Sequence, residues 1–156
     1  MPDVRAVRLR ALKEAPYAFA STYEQEAAFD DAAWEQRLTS GSATFLARMD
    51  GTTIGTCTGL PPSDGAVELV AMWIDPSARG SGAATELVQA VLAWAAGQTA
   101  ERLHLWVAGG NQRARHFYER TGFVLTGERQ PLPSDPAVPE LGMARPIRAD
   151  RGRQGA

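Results

Sequence analysis

The chain has 156 residues, 44% hydrophobic and 22% charged, with a net charge of −2. That is enough for one packed core, and the slight acidity offers no basic field for nucleic acid. No apolar run is long enough to span a bilayer, and the lone Cys57 excludes an internal disulfide and fits a reducing cytoplasm.

Met1-Pro2-Asp3-Val4-Arg5 leads into an amphipathic pattern rather than an apolar leader. Val4, Val7, Ala11 and Leu12 recur at helical spacing, predicting a first helix ended by Pro16. Ser21-Thr22 caps a short helix through Ala28, and Asp30-Asp31 caps another in which Trp34 and Leu38 face the core and Gly41 closes the end. Thr44 to Met49 reads as a strand, Asp50-Gly51 as a hairpin turn and Thr52 to Gly59 as the partner strand. After the loop Pro61 to Gly65, the apolar run Leu69 to Ile74 reads as a buried strand that Asp75-Pro76 stops. Leu87, Val88, Val91, Leu92 and Ala95 then mark a helix. Leu103, Leu105 and Val107 alternate with His104 and Trp106 as a strand neighbouring the central one. Gly109-Gly110-Asn111 opens a second helix through Arg120, with Gly122 as its left-handed stop. Phe123 to Glu128 is a strand, Pro131 to Pro139 a proline-rich loop and Glu140 to Ile147 a last strand. Residues 1–147 read as a single domain, and the polar tail 148–156 as a segment without fixed structure.

The organising stretch is Glu68 to Leu92, where strand, small-residue turn and helix follow one another. Arg79-Gly80-Ser81-Gly82-Ala83-Ala84-Thr85 carries nothing larger than threonine after its arginine. Several backbone N–H groups there meet the positive end of a helix dipole, an arrangement that holds phosphate. A P-loop needs Lys-Ser or Lys-Thr after its last glycine, and a dinucleotide fingerprint needs glycine at Thr85; neither is present. A tight turn with no ligand is the alternative. On the second helix Asn111, Ala114 and Tyr118 share one face, an amide, a gap and a phenol, although Tyr118 also suits an ordinary amphipathic core position.

Arg79-x-x-Gly82-x-Ala84 after a strand ending in Asp75-Pro76, followed by Asn111-x-x-Ala114-x-x-Phe117-Tyr118-Glu119-x-x-Gly122-Phe123, resembles the GCN5-related N-acetyltransferase (GNAT) superfamily. The resemblance covers roughly residues 66–125. It implies an α/β (α+β) fold, a mixed, mostly antiparallel sheet of about six to seven strands with helices on both faces and a V-shaped splay between the two central strands. It also implies acetyl-CoA as co-substrate. Its pyrophosphate would sit on the amides of Gly80, Ser81, Gly82, Ala83, Ala84 and Thr85, with Arg79 near the phosphates. The pantetheine would run as an added strand along Met72, Trp73 and Ile74, fixed by Asn111 beside Ala114. Tyr118 would protonate the leaving thiolate, and the main-chain N–H near Met72 would polarise the thioester carbonyl.

Glu68 is the only charged residue between Ala66 and Ile74. By the same resemblance it is a candidate base for the incoming ammonium; the alternative is a strand end turned to solvent. Cys57 reads as a small core residue, and His104 and His116 as outside the chemistry. No metal is implied. The function expected is direct acetyl transfer to a primary amine of a small molecule or protein, with an acyl-CoA-binding sensor as the alternative. Relatives usually place a strand before the first helix; its absence here would leave an edge that a second copy of the chain can cover.

Overall fold

The computed structural model describes residues 2–15, 22–38, 40–132 and 135–147. Three helices come first, α1 (Pro2–Glu14), α2 (Tyr23–Ala27) and α3 (Asp31–Leu38). Caps set two of the starts: Thr22 accepts from Gln25 N at 3.1 Å and Asp30 from Ala33 N at 2.9 Å. Trp34 is buried as expected. The expected stop at Pro16, the side chain of Leu38 and the tail 148–156 lie outside the described residues. The three helices meet on one carboxylate. Glu26 is wholly buried, and its oxygens accept from Arg8 of α1 at 2.9 and 3.0 Å and from Arg37 of α3 at 2.9 Å.

The remainder alternates β1 (Ala43–Met49), β2 (Thr52–Gly59), β3 (Ala66–Ile74), α4 (Ala83–Ala96), β4 (Arg102–Ala108), α5 (Gln112–Arg120), β5 (Val124–Leu132) and β6 (Asp135–Pro146). The six strands form one sheet in the order β1-β2-β3-β4-β6-β5. Only β3 and β4 run parallel, joined through α4; the other pairs are antiparallel. Asp50 and Gly51 turn the first hairpin with φ of 52° and 79°, the left-handed pair that a two-residue hairpin loop requires.

Both faces of the sheet are covered. Val7 and Ala11 of α1 pack on Trp73 and Leu46. On the other face Leu87, Val88 and Val91 of α4 and Tyr118 of α5 close over Cys57, Val67, Leu69, Leu103 and Leu105. Each of these aliphatic side chains contributes roughly 1.5–3 kcal/mol by leaving water. Because side chains alternate along a strand, Glu68 and His104 must point to the α1 face.

Three boundaries differ from the sequence reading. The central strand begins at Ala66 rather than Leu69, so Glu68 lies inside it, paired with His104. The last two strands extend to Leu132 and back to Asp135, and most of the expected proline-rich loop is a paired ladder in which Pro131 faces Pro139. Such prolines are tolerated because β5 is an edge strand and Pro139 lies on β6 beyond its last pair with β4, Ala108 with Glu140. Among the described residues no strand precedes α1, and β1 and β5 are the edges of the sheet.

Candidate active site

The sheet comes apart in its middle. β3 and β4 pair only at Ala66, Val67 and Glu68, opposite Arg102, Leu103 and His104. Beyond that point the strands diverge, and the edge of β3 from Leu69 to Ile74 has β2 on one side and no strand on the other. Along the same stretch β2 advances from Thr56 to Thr58 while β3 advances from Trp73 to Val70, so β3 carries one extra residue. The bulge is fixed by Ala71, a non-glycine residue at φ 57°. A left-handed alanine is strained by about 1–3 kcal/mol, and the bulge releases backbone polar groups from the ladder around Ala71 and Met72. Met72 and Ile74 pack against the main core, while the Trp73 side chain goes to the α1 face.

At the end of β3, Asp75 caps a 3-10 turn, Pro76–Ala78, by accepting from Ser77 N at 3.0 Å. Gly80, Ser81 and Gly82 follow, and Gly82 at φ 88° is the N-cap of α4. Only glycine adopts that conformation without strain, and it brings no side chain to occupy the first-turn amides. The amides of Ala83, Ala84 and Thr85 therefore lie at a positive helix end. Ser81 Oγ reaches Ala83 N at only 3.4 Å. Arg79 pairs with Glu14 of α1 at 3.1 Å, and Glu14 also accepts from Trp73 Nε1 at 3.0 Å.

α5 brings Tyr118 to the core side of the divergence. Tyr118 is 9% exposed, edge-on to Phe117 and Phe123. Burial first, and Cys57 second, push its phenol further above the ordinary range, so it holds its proton. Its hydroxyl donates to no described residue. Asn111, expected to present its amide to a ligand, spends its carbonyl as the N-cap of α5, accepting from Ala114 N at 3.1 Å. Cys57 is buried, its thiol pushed up to about 12 by desolvation, consistent with a core role.

On the opposite face lies a constellation that the sequence reading missed. Glu68 Oε1 sits 2.9 Å from His104 Nδ1, and His104 Nε2 sits 2.7 Å from Glu128 Oε1. The imidazole, 8% exposed and edge-on to Trp106, is bracketed by a carboxylate on β3 and another on β5. Burial raises the Glu68 carboxyl against the lowering effect of His104, and the charges of Glu128 and Glu140 raise it further. Glu128 moves the other way, held low first by the Thr126 hydroxyl and then by His104. His104, read from the sequence as outside the chemistry, is thus in hydrogen-bond contact with the candidate base Glu68. Its signal was present in the alternation that puts it on the face of Glu68, but only the parallel register places the two side by side. Among the described residues no group of His, Cys, Asp or Glu side chains is arranged to hold a metal ion.

An internal open edge, a bulge within it and a helix N-terminus without a side-chain cap thus follow one another along the chain. Residues 8–123 match the acetyltransferase (GNAT) family. The chain belongs to the GNAT acetyltransferases. Within that family it is similar to an uncharacterised N-acetyltransferase of Mycobacterium tuberculosis, 41% identical over 87 residues. That match covers 56% of this chain and 56% of the relative, so the chain spans about half the length of the curated relative it matches. Among solved structures, nourseothricin acetyltransferase superposes with a TM-score of 0.64 and 26% identity over 69% of this chain and 66% of that one. An aminoglycoside 6'-N-acetyltransferase complexed with coenzyme A gives 0.71 at 15% identity, over 94% of this chain and 92% of that one, a likeness of fold. The mixed sheet with its central splay is thus a GNAT sheet.

Proposed function

We propose that this GNAT chain is an acetyl-CoA-dependent N-acetyltransferase that passes the acetyl group directly to a primary amine. The observation that carries the reading is the open edge of β3, bulged at Ala71 and ending at the uncapped N-terminus of α4. A pantetheine arm has amides to pair with such an edge, and a pyrophosphate suits the Gly80 to Thr85 amides. Released N–H groups at Ala71 and Met72 favour charge on the thioester oxygen. Tyr118, kept protonated by burial, supplies the proton that the departing thiolate takes. Glu68, whose raised carboxyl suits a group that gains a proton at moderate pH, accepts one from the ammonium. The carboxylates of Glu68, Glu128 and Glu140 favour an acceptor that arrives as a cation. An unpaired, buried Cys57 supports a reducing compartment such as the cytoplasm.

The first test is thermal unfolding with acetyl-CoA, CoA, ATP and NAD in parallel. A ligand at a hundred times its dissociation constant adds about 2.7 kcal/mol; the expected result is a rise with the two CoA forms only. Absence of a rise with either removes the reading. Thiol release is then followed with nourseothricin, an aminoglycoside and a lysine-containing peptide as acceptors. Tyr118→Phe is expected to lower turnover about a hundredfold or more while leaving acetyl-CoA affinity nearly unchanged. Unchanged turnover in that variant removes Tyr118 as the acid, and cofactor binding with no acceptor turned over by the wild type favours an acyl-CoA sensor.

A further inference from the structure

The Glu68–His104–Glu128 trio contains more protons than its ordinary charges allow. A carboxylate oxygen faces each ring nitrogen at hydrogen-bond distance, and neither contact holds between two bare lone pairs. Both bonds therefore need a bridging proton. A neutral imidazole brings one, and the second must come from a protonated carboxyl or from a doubly protonated ring. Either way the three groups together carry one negative charge. We propose that His104 stores the proton that Glu68 takes from the acceptor, with Glu128 holding the ring in register and stabilising its charge; the proposal rests on the acetyl-transfer reading above.

The transfer balances as follows. In the resting trio Glu68 carries a proton on Oε1, hydrogen-bonded to bare Nδ1, while Nε2–H donates to ionised Glu128. The acceptor ammonium gives its proton to the second oxygen of Glu68 as the Oε1 proton passes to Nδ1. The amine is left with its lone pair. The trio becomes a neutral carboxyl, an imidazolium and a carboxylate, so its charge goes from −1 to zero. When the product leaves, the second oxygen of Glu68 gives its proton to water and the Nδ1 proton returns to Oε1. Glu68 makes the contact, and His104 acts through it as a positioning residue.

Two independent features fit this division. First, Gly142 of β6 lies beneath the carboxylate of Glu128: a Cβ there would stand 2.6 Å from Glu128 Oε1 and 2.7 Å from Thr126 Oγ1. The missing side chain lets Glu128 lie across β6 to the ring, and Thr126 Oγ1 at 2.6 Å fixes it there. Second, the two carboxyls are displaced in opposite directions, Glu68 upward by burial and Glu128 downward by Thr126 and the ring. The shared proton is therefore biased toward Glu68 and the charge toward Glu128. The other charged groups acting on the trio are Glu140 of β6, which works on Glu68, and Arg102 of β4, which works on Glu128.

The test has an arm that needs no acceptor. Full-length protein labelled with nitrogen-15 histidine has two rings to resolve, His104 and exposed His116. At pH 7 the expected proton spectrum shows two strongly downfield protons associated with the His104 ring, and Glu128→Gln loses the pattern. One ordinary ring proton in the wild type overturns the proposal. The kinetic arm follows thiol release with nourseothricin, an aminoglycoside and a lysine-containing peptide. His104→Gln and Glu128→Gln are expected to lower kcat about tenfold to a hundredfold, to move the acid limb of its pH profile, and to leave stabilisation by acetyl-CoA unchanged. Gly142→Ala, which alters no titratable group, should move the limb in the same direction to a smaller extent. Variants that lose stability but keep the wild-type limb assign the trio to structure alone. A wild-type protein that releases no thiol with any of these acceptors counts against the acetyl-transfer reading, while the bridging protons still judge the trio.

Discussion

Two carboxylates, one wholly buried and one half-buried, anchor two regions of this chain and are neutralised in different ways. Glu26 lies where three helices meet, and its partners Arg8 and Arg37 carry permanent charge. Glu68 lies where two strands part, and its partner is an imidazole that a second carboxylate also claims. The first carboxylate is held by guanidinium groups, the second by a ring whose two nitrogens can each carry a proton. A buried charge that only supports packing is best matched by a cation that never changes, whereas a carboxylate that exchanges protons needs a neighbour that exchanges them too.

The contrast can be broken at either end. The largest effect is expected at Glu26→Ala, which strands two arginines: unfolding by denaturant should show a loss of about 3–5 kcal/mol, with acetyl-CoA still binding the folded fraction. A loss under about 1 kcal/mol would mean that the helix cluster is held by its apolar contacts alone. Glu68→Gln should reverse the pattern, lowering thiol release about a hundredfold, roughly 2.7 kcal/mol of the barrier, with little change in melting temperature.

A smaller effect is expected with pH. Because the Glu68 carboxyl is raised in the folded protein, folding takes up protons there. Its ionised form carries a penalty that is complete only above its folded value and disappears as pH falls through that value toward 4.5, its unperturbed value. Glu128 has the opposite sign: its stabilisation is present above 4.5 and is lost as pH falls through its lowered folded value. Denaturation across a pH series should therefore show Glu68→Gln gaining on the wild type as pH rises above that folded value and losing the gain in acid, and Glu128→Gln the reverse. Equal pH slopes for all three proteins would contradict the assignment. The smallest change belongs to Asp31→Asn. Its ion pair with Arg5 is 3.6 Å long and Asp31 is 92% exposed, so unfolding should shift by no more than about 0.5 kcal/mol.

Much of this site was legible in the sequence because it is written in local rules. A strand stopped by Asp75-Pro76, a small-residue turn and a helix after Gly82 are near neighbours, and their geometry follows from spacing. The face shared by Asn111, Ala114 and Tyr118 is helix geometry. What was not legible depends on long-range register. The pairing of Glu68 with His104 needs the parallel alignment of β3 and β4, and the reach of Glu128 needs a glycine on a third strand. The pairing of Arg79 with Glu14 was hidden for the same reason, since the two lie 65 residues apart. The proline ladder at Pro131 and Pro139 was hidden because proline argues against a strand until one is known to lie on the edge strand β5 and the other beyond the last pair of β6 with β4.

The divergence of β3 from β4 also has a consequence for hydrogen exchange. A strand in the middle of a six-stranded sheet is ordinarily the slowest place in a protein to exchange its amides. Here the two edges of β3 should part company. From Leu69 to Ile74, amides bonded to β2 should exchange only with global unfolding, while those turned toward the splay should exchange quickly in the free protein. Protection of that second set on adding acetyl-CoA would make the centre of the sheet, rather than its rim, the part of the molecule that the ligand completes.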